Sequence, residues 1–138
     1  MEVAVNWWAI VLAALSSMAV GSIWYAKSTF GKEWMRLIGK TEKQLNQTMW
    51  PIVITLLVSF VTAFVLAHVT YLSNKFFGNS FLQDALSTAF WLWLGLVAAR
   101  FLTHDLFENR PLKLTVMNIG HELITLLVMA LIIGLMQP

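Results

Sequence analysis

The sequence predicts an all-α integral membrane protein: a four-helix bundle with a short interfacial helix between its first and second membrane-spanning helices. Three observations carry that reading. Of the 138 residues, 59% are apolar and only 12% charged, and the mean hydropathy is +0.73, far from the balance of a soluble domain. Residues 5–25, 50–72, 81–102 and 112–136 each supply the roughly 20 mostly apolar residues that a helix needs to cross the hydrocarbon. Between them lie one polar segment and two short loops, so residues 1–138 are read as a single transmembrane domain. The stretches are too long for barrel strands of about ten alternating residues. In lipid, helices satisfy every backbone group within their own segment.

The first span opens on Trp7 and Trp8 and closes on Trp24 and Tyr25, an aromatic belt at each interface. Its start has no basic region, and Ile23, Trp24 and Tyr25 make a poor cleavage site, so it reads as an uncleaved span. Ala9, Ala13, Ser17 and Gly21 recur at every fourth position; Thr55, Ser59, Ala63 and Ala67 do the same in the second span, and Gly95 and Ala99 mark the third. Small residues at that spacing let helix backbones approach closely, within one chain or between two. A homo-oligomer, most simply a dimer, is therefore an expected partner state, beside the lipid bilayer itself.

Between the first two spans, the apolar residues Phe30, Trp34, Leu37 and Ile38 fall on one helical face among Lys32, Arg36 and Lys40, the pattern of a helix lying on the membrane surface. Thr41 followed by Gln44 has the spacing of a capping box. In the third span, Trp91 and Trp93 fall near mid-membrane, where each indole is expected to pack against neighbouring helices.

Orientation follows from the basic residues. Lys27, Lys32, Arg36, Lys40, Lys43, Arg100, Arg110 and Lys113 flank one side, and Lys75 alone flanks the other. The positive-inside rule then puts both termini outside a cytoplasmic (inner) membrane. The isoelectric point of about 9.2 is mainly this topology signal, and no basic face with interleaved aromatics suggests nucleic-acid binding.

Two stretches, 21–39 (GSIWYAKSTFGKEWMRLIG) and 106–134 (LFENRPLKLTVMNIGHELITLLVMALIIG), resemble the bacterial and archaeal membrane family called domain of unknown function 1761. The likeness rests on Gly21, Trp24 and Tyr25; on Phe30, Gly31, Lys32, Trp34 and Met35; and on Leu106, Phe107, Glu108, Arg110 and Pro111. Ala26 and Lys27 stand where the family often has Ser-Pro, which removes a proline's own reason for a sharp turn. The resemblance implies a four-helix membrane fold and no particular activity.

The candidate site is the polar interruption of the last span. Glu122 lies roughly 16 Å into that helix, at about 1.5 Å per residue, near the centre of a core about 30 Å thick. Asn118, His121, Glu122 and Thr125 follow one another at helical offsets of three and four and share a face. An ionisable group at that depth costs about 3 kcal/mol or more, which makes it a functional candidate. His68 and Asp84 are expected at matched depth toward the outer side, where they could pair across the second hairpin, while Arg100 with His104 and Asp105 falls at the inner end of the third span, within reach of Glu108. If all face one interior, they form a broken polar line from outside to inside.

Other chemistries lack their residues. His121-Glu122 begins like the zinc-protease motif His-Glu-x-x-His, but position 125 is threonine, so no metal is expected. The chain has no cysteine, no Gly-x-Ser-x-Gly elbow and no phosphate-cradling glycine loop, and no cofactor is expected. Three readings remain: first a structural or accessory membrane protein with a buried polar cluster, then a small oligomeric transporter or proton conductor using Glu122, then a membrane-embedded enzyme acting on a lipid or quinone.

Overall fold

The computed structural model describes residues 3–45 and 48–138, and every regular element among them is helical. α1 (Trp7–Trp24) leads through a tight turn to α2 (Gly31–Ile38) and the single-turn α3 (Glu42–Leu45). α4 (Trp50–Phe77) follows, and the third long helix runs as α5 (Phe81–Leu92), a π-helical segment (Trp93–Ala98) and α6 (Ala99–Phe107) before α7 (Leu112–Met136). Four helices, Trp7–Trp24, Trp50–Phe77, Phe81–Phe107 and Leu112–Met136, are long and apolar enough to cross a membrane. They form an antiparallel ring in chain order, α1 beside α4, α4 beside α5, α5 beside α7, and α7 back on α1.

The second and third long helices outrun the apolar stretches 50–72 and 81–102. Hydropathy marks where lipid ends, whereas backbone geometry ends a helix: α4 stops at Gly78, in the left-handed region at φ 68°, and α6 stops just before Asn109 at φ 53°. At α1 the start is set by Asn6, whose Oδ1 accepts from the backbone N–H of Trp8 (3.0 Å) and Ala9 (3.2 Å). The same side chain donates to the carbonyl of Met136 at 3.0 Å, tying the two ends of the chain together. That is the terminal end of the bundle, and the opposite one, beside the basic loops, is the basic end.

The core lies toward the terminal end. Ala9, Ile10 and Ala13 of α1 meet Ala63 and Leu66 of α4, Ala85 and Ala89 of α5, and Met129, Ala130 and Ile133 of α7, each at most 3% exposed. The small-residue stripes of α1 and α4 face each other within the chain, and Ser17 and Ser59 share a hydrogen bond there, 2.8 Å between oxygens. In α7, Gly134 lets α5 close in: a Cβ at that position would lie 2.7 Å from Leu82 Cδ1 and 2.8 Å from Leu82 Cα.

The third helix departs from expectation. Gly95 and Ala99 face outward, while Ala98 is buried. The π-helical segment shifts the register so that the position next to the anticipated stripe turns inward. Trp91 also points outward, 65% exposed, against the expectation of helix packing, whereas Trp93 meets it by donating from Nε1 to the carbonyl of Ile119 at 2.8 Å.

The surface helix forms where amphipathic spacing placed it, and Thr41 with Gln44 supplies half of a capping box, Gln44 Oε1 accepting from Thr41 N–H at 2.9 Å. The turn leading into α2 is sharp without a proline. The Thr29 hydroxyl sits against the carbonyls of Ile23, Trp24 and Ala26, and Phe30 N–H donates to Trp24 O at 3.1 Å. Gly31 is required at this point because a Cβ there would fall 2.2 Å from the carbonyl oxygen of Tyr25. Glu33 then fastens α2 to α7, accepting from Lys113 Nζ at 2.6 Å, and also pairs with Arg36 at 2.6 Å.

Candidate functional site

The polar face of α7 splits between two neighbours. At about 100° per residue, Asn118, His121, Glu122 and Thr125 cover an arc of about 100°, too wide for one partner helix. Asn118 and His121 turn toward α1. Tyr25 donates from its hydroxyl to Asn118 Oδ1 at 3.2 Å, and its ring lies 5.0 Å from the His121 ring. Gly21 lies beside the imidazole, where a Cβ would stand in ordinary contact 3.6 Å from His121 Nε2. Trp24 flanks it at 6.2 Å between ring centroids, packs against Phe30 at 4.6 Å, and leaves its own Nε1 buried without a hydrogen-bond partner. Trp34 completes the cage by packing on Tyr25 at 5.0 Å. The motif residues of the first loop thus fold around His121.

Glu122, one residue on, turns the other way. Its side chain is 36% exposed, against 15% for His121, and His121 Nδ1 lies 3.4 Å from Glu122 Oε1. Thr125, buried midway along the arc, places its hydroxyl 3.4 Å from His121 Nε2, so the two sides of the face meet through long polar contacts.

A lateral groove receives the glutamate. α4 packs on α5 near the terminal end, but toward the basic end the third helix parts from it along the π-helical segment. The gap is a cavity of about 440 Å³ walled mainly by apolar side chains such as Val58, Val65, Leu96 and Met129, with Glu122 and Thr125 on its inner face. A second cavity of about 490 Å³ continues toward the basic end, lined by Arg100, His104, Asp105 and Glu108 and again by Glu122. π-Helical turns recur at functional sites because they break the regular hydrogen-bond ladder and re-aim side chains. Here Leu96 and Val97 of that segment border both cavities.

The other anticipated members lie elsewhere. His68 and Asp84 do not pair: His68 Nδ1 lies 2.9 Å from Phe64 O, while Asp84 is buried and accepts from the amides of Asn74 and Asn79, both at 2.9 Å. Local geometry decides this, since those asparagines sit in the last turn of α4 and in the loop directly before α5. Arg100 does not meet Glu108 either, because Arg110 takes that carboxylate at 2.6 Å and reaches Asp105 at 3.7 Å. Asp105 is also held by the Thr115 hydroxyl at 2.7 Å. The second motif, with Phe107 and Pro111 exposed around it, is therefore a clasp between α6 and α7. Between Glu122 and the terminal end stand Leu66, Leu126, Met129 and Ile133, all buried. They interrupt the supposed polar line. Asn74, Asn79 and the Trp93–Ile119 bond carried no signal in the sequence, since each depends on a chain reversal or a register shift.

Among the described residues no group of three or more His, Cys, Asp or Glu could hold a metal ion. Four apolar helices of membrane-crossing length around a mainly apolar groove with Glu122 on its wall place the chain among polytopic helical membrane proteins. A family model matches residues 8–134, and the chain belongs to that family, described as Protein of unknown function (DUF1761). No curated protein and no solved structure matches it.

Proposed function

We propose that the chain is an accessory protein of the cytoplasmic membrane that holds an amphiphilic small molecule, with both termini outside. The orientation is supported by the eight basic residues at one end of the bundle against Lys75 at the other. The ligand role is carried by one observation: a groove of about 440 Å³ opens sideways between α4 and the π-helical segment, apolar along its walls and acidic at its inner face. A mostly apolar concavity with a few convergent polar groups is the usual form of a small-molecule site. Its lateral mouth faces the region that lipid tails fill. The buried apolar layer of Leu66, Met129 and Ile133 argues against a proton or ion route through a single chain. A dimer, with the outward Gly95 and Ala99 as its contact, belongs to the same proposal.

Thermal unfolding of the purified protein in detergent, with and without added single-chain amphiphiles, tests this reading. Amphiphile raises the midpoint of the native chain, and Val58→Trp, which fills the groove from its lipid-facing wall without touching the core, abolishes the rise. An equal rise in both proteins would show that the amphiphile acts elsewhere.

A further inference from the structure

The charges in the basic-end cavity are unevenly satisfied. Arg110 is neutralised by Glu108 and Asp105, and Asp105 is further engaged by Thr115. Arg100 and His104, one helical turn apart on α6, make no ion pair within 4.0 Å among the described residues. Among the described residues Glu122 has only the long contact to His121. An arginine beside hydrocarbon is costly unless an acceptor meets it, and a guanidinium takes a phosphate or carboxylate in two parallel hydrogen bonds.

The order of these groups along the groove is informative. Glu122 borders both cavities, so a molecule entering from the lipid side meets apolar wall first, then the carboxylate, then Arg100 and His104. Resting on the amphiphile reading above, we infer that the ligand is a single-chain amphiphile carrying a hydroxyl or N–H next to its chain and an anionic head beyond it. Glu122 accepts from the donor, and Arg100 with His104 binds the anion. A monoacylglycerol phosphate has this sequence of groups. The groove is open on its lipid side, so the double-chain phosphatidic acid serves as the probe of chain number.

Binding of four probes to the purified full chain in detergent, read by native mass spectrometry, tests the assignment: monoacylglycerol phosphate, its hydroxyl-methylated analogue, monoacylglycerol without phosphate, and the double-chain phosphatidic acid. The first binds best, with methylation and loss of phosphate each weakening binding about tenfold, as expected for a hydrogen bond to a charged group. Arg100→Gln, a change at an exposed side chain, erases the phosphate preference and leaves the hydroxyl preference. Glu122→Leu does the reverse, and Glu122→Gln, which keeps the side-chain shape, weakens the hydroxyl preference. Inorganic phosphate does not compete. If all four probes bind alike and the variants change nothing, the ligand assignment is overturned, and Val58→Trp separates the two readings: loss of binding in that variant keeps the amphiphile reading, and unchanged binding removes it as well. If no probe binds, the assignment and the amphiphile reading fall together.

Discussion

Near the termini, Ile10, Leu66 and Met129 meet across the bundle with at most 1% of their surface exposed; near the basic loops, Leu96 on the wall between α4 and the third helix is 66% exposed. The same four helices supply both regions. At the terminal end, small residues on α1, α4 and α5 bring backbones close enough for large side chains to interlock, which drives association where lipid removes the hydrophobic force between helices. Toward the basic end the π-helical segment turns Gly95 and Ala99 outward, so the third helix no longer approaches α4. One region is built to hold the helices together. The other trades contact for space, and Glu122 lies in that space.

Closing the terminal end more tightly is not tolerated, and this gives the largest expected effect. Gly134→Ala forces a methyl to within 2.8 Å of the Leu82 backbone, and is expected to cost about 3 kcal/mol, at the upper end for overpacking. Chemical denaturation in mixed micelles measures it. A loss under 1 kcal/mol would mean that α5 and α7 pack less closely than described.

Paired truncations sharpen the contrast. Met129→Ala, which leaves a hole in the closed region, is expected to cost about 2 kcal/mol, the low end for large-to-small core changes because lipid supplies part of the apolar environment. Leu96→Ala in the groove wall is expected to stay within about 0.5 kcal/mol. Equal losses at the two sites would erase the distinction between packed and open regions.

The smallest effect is at the basic end, where Glu33 anchors α2. Hydrogen bonds from Arg36 and Lys113 lower its carboxyl from 4.5 to about 2. A lowered value means that the anchor contributes fully above pH 4.5 and is lost as the pH falls toward about 2. Solvent screening keeps this contribution small. The protection of α2 amides, their exchange rate relative to the intrinsic rate at each pH, is expected to fall over that window in the native chain. In Glu33→Gln that protection is already low at neutral pH and shows no acid-dependent step.

Much of this architecture was legible beforehand, for identifiable reasons. Four apolar runs can be only helices in hydrocarbon, and Phe30, Trp34, Leu37 and Ile38 locate α2 by spacing alone. The stripes of α1 and α4 were visible as small residues at every fourth position, but that they face each other within one chain, with Ser17 bonded to Ser59, came from the assembled bundle. Where the reading missed, the cause was geometry beyond hydropathy. Gly95 was misplaced because π-helical turns have no compositional signature, Trp91, in regular α5 before them, because hydropathy does not say which face of a helix turns inward, and Asp84 found Asn74 and Asn79 because a hairpin brings together residues whose sequence pattern is only that of a loop.

The sequence by itself determined the number of long apolar helices and the place of His121 and Glu122 along the last of them, because hydrophobic length and helical rise are local properties. Tertiary structure alone decided that adjacent residues serve different neighbours, His121 against Tyr25 and Gly21, Glu122 in the groove with Arg100 at its far end. The physical reason is the turn of about 100° per residue, which sends neighbouring side chains toward different helices whose positions only the assembled bundle defines.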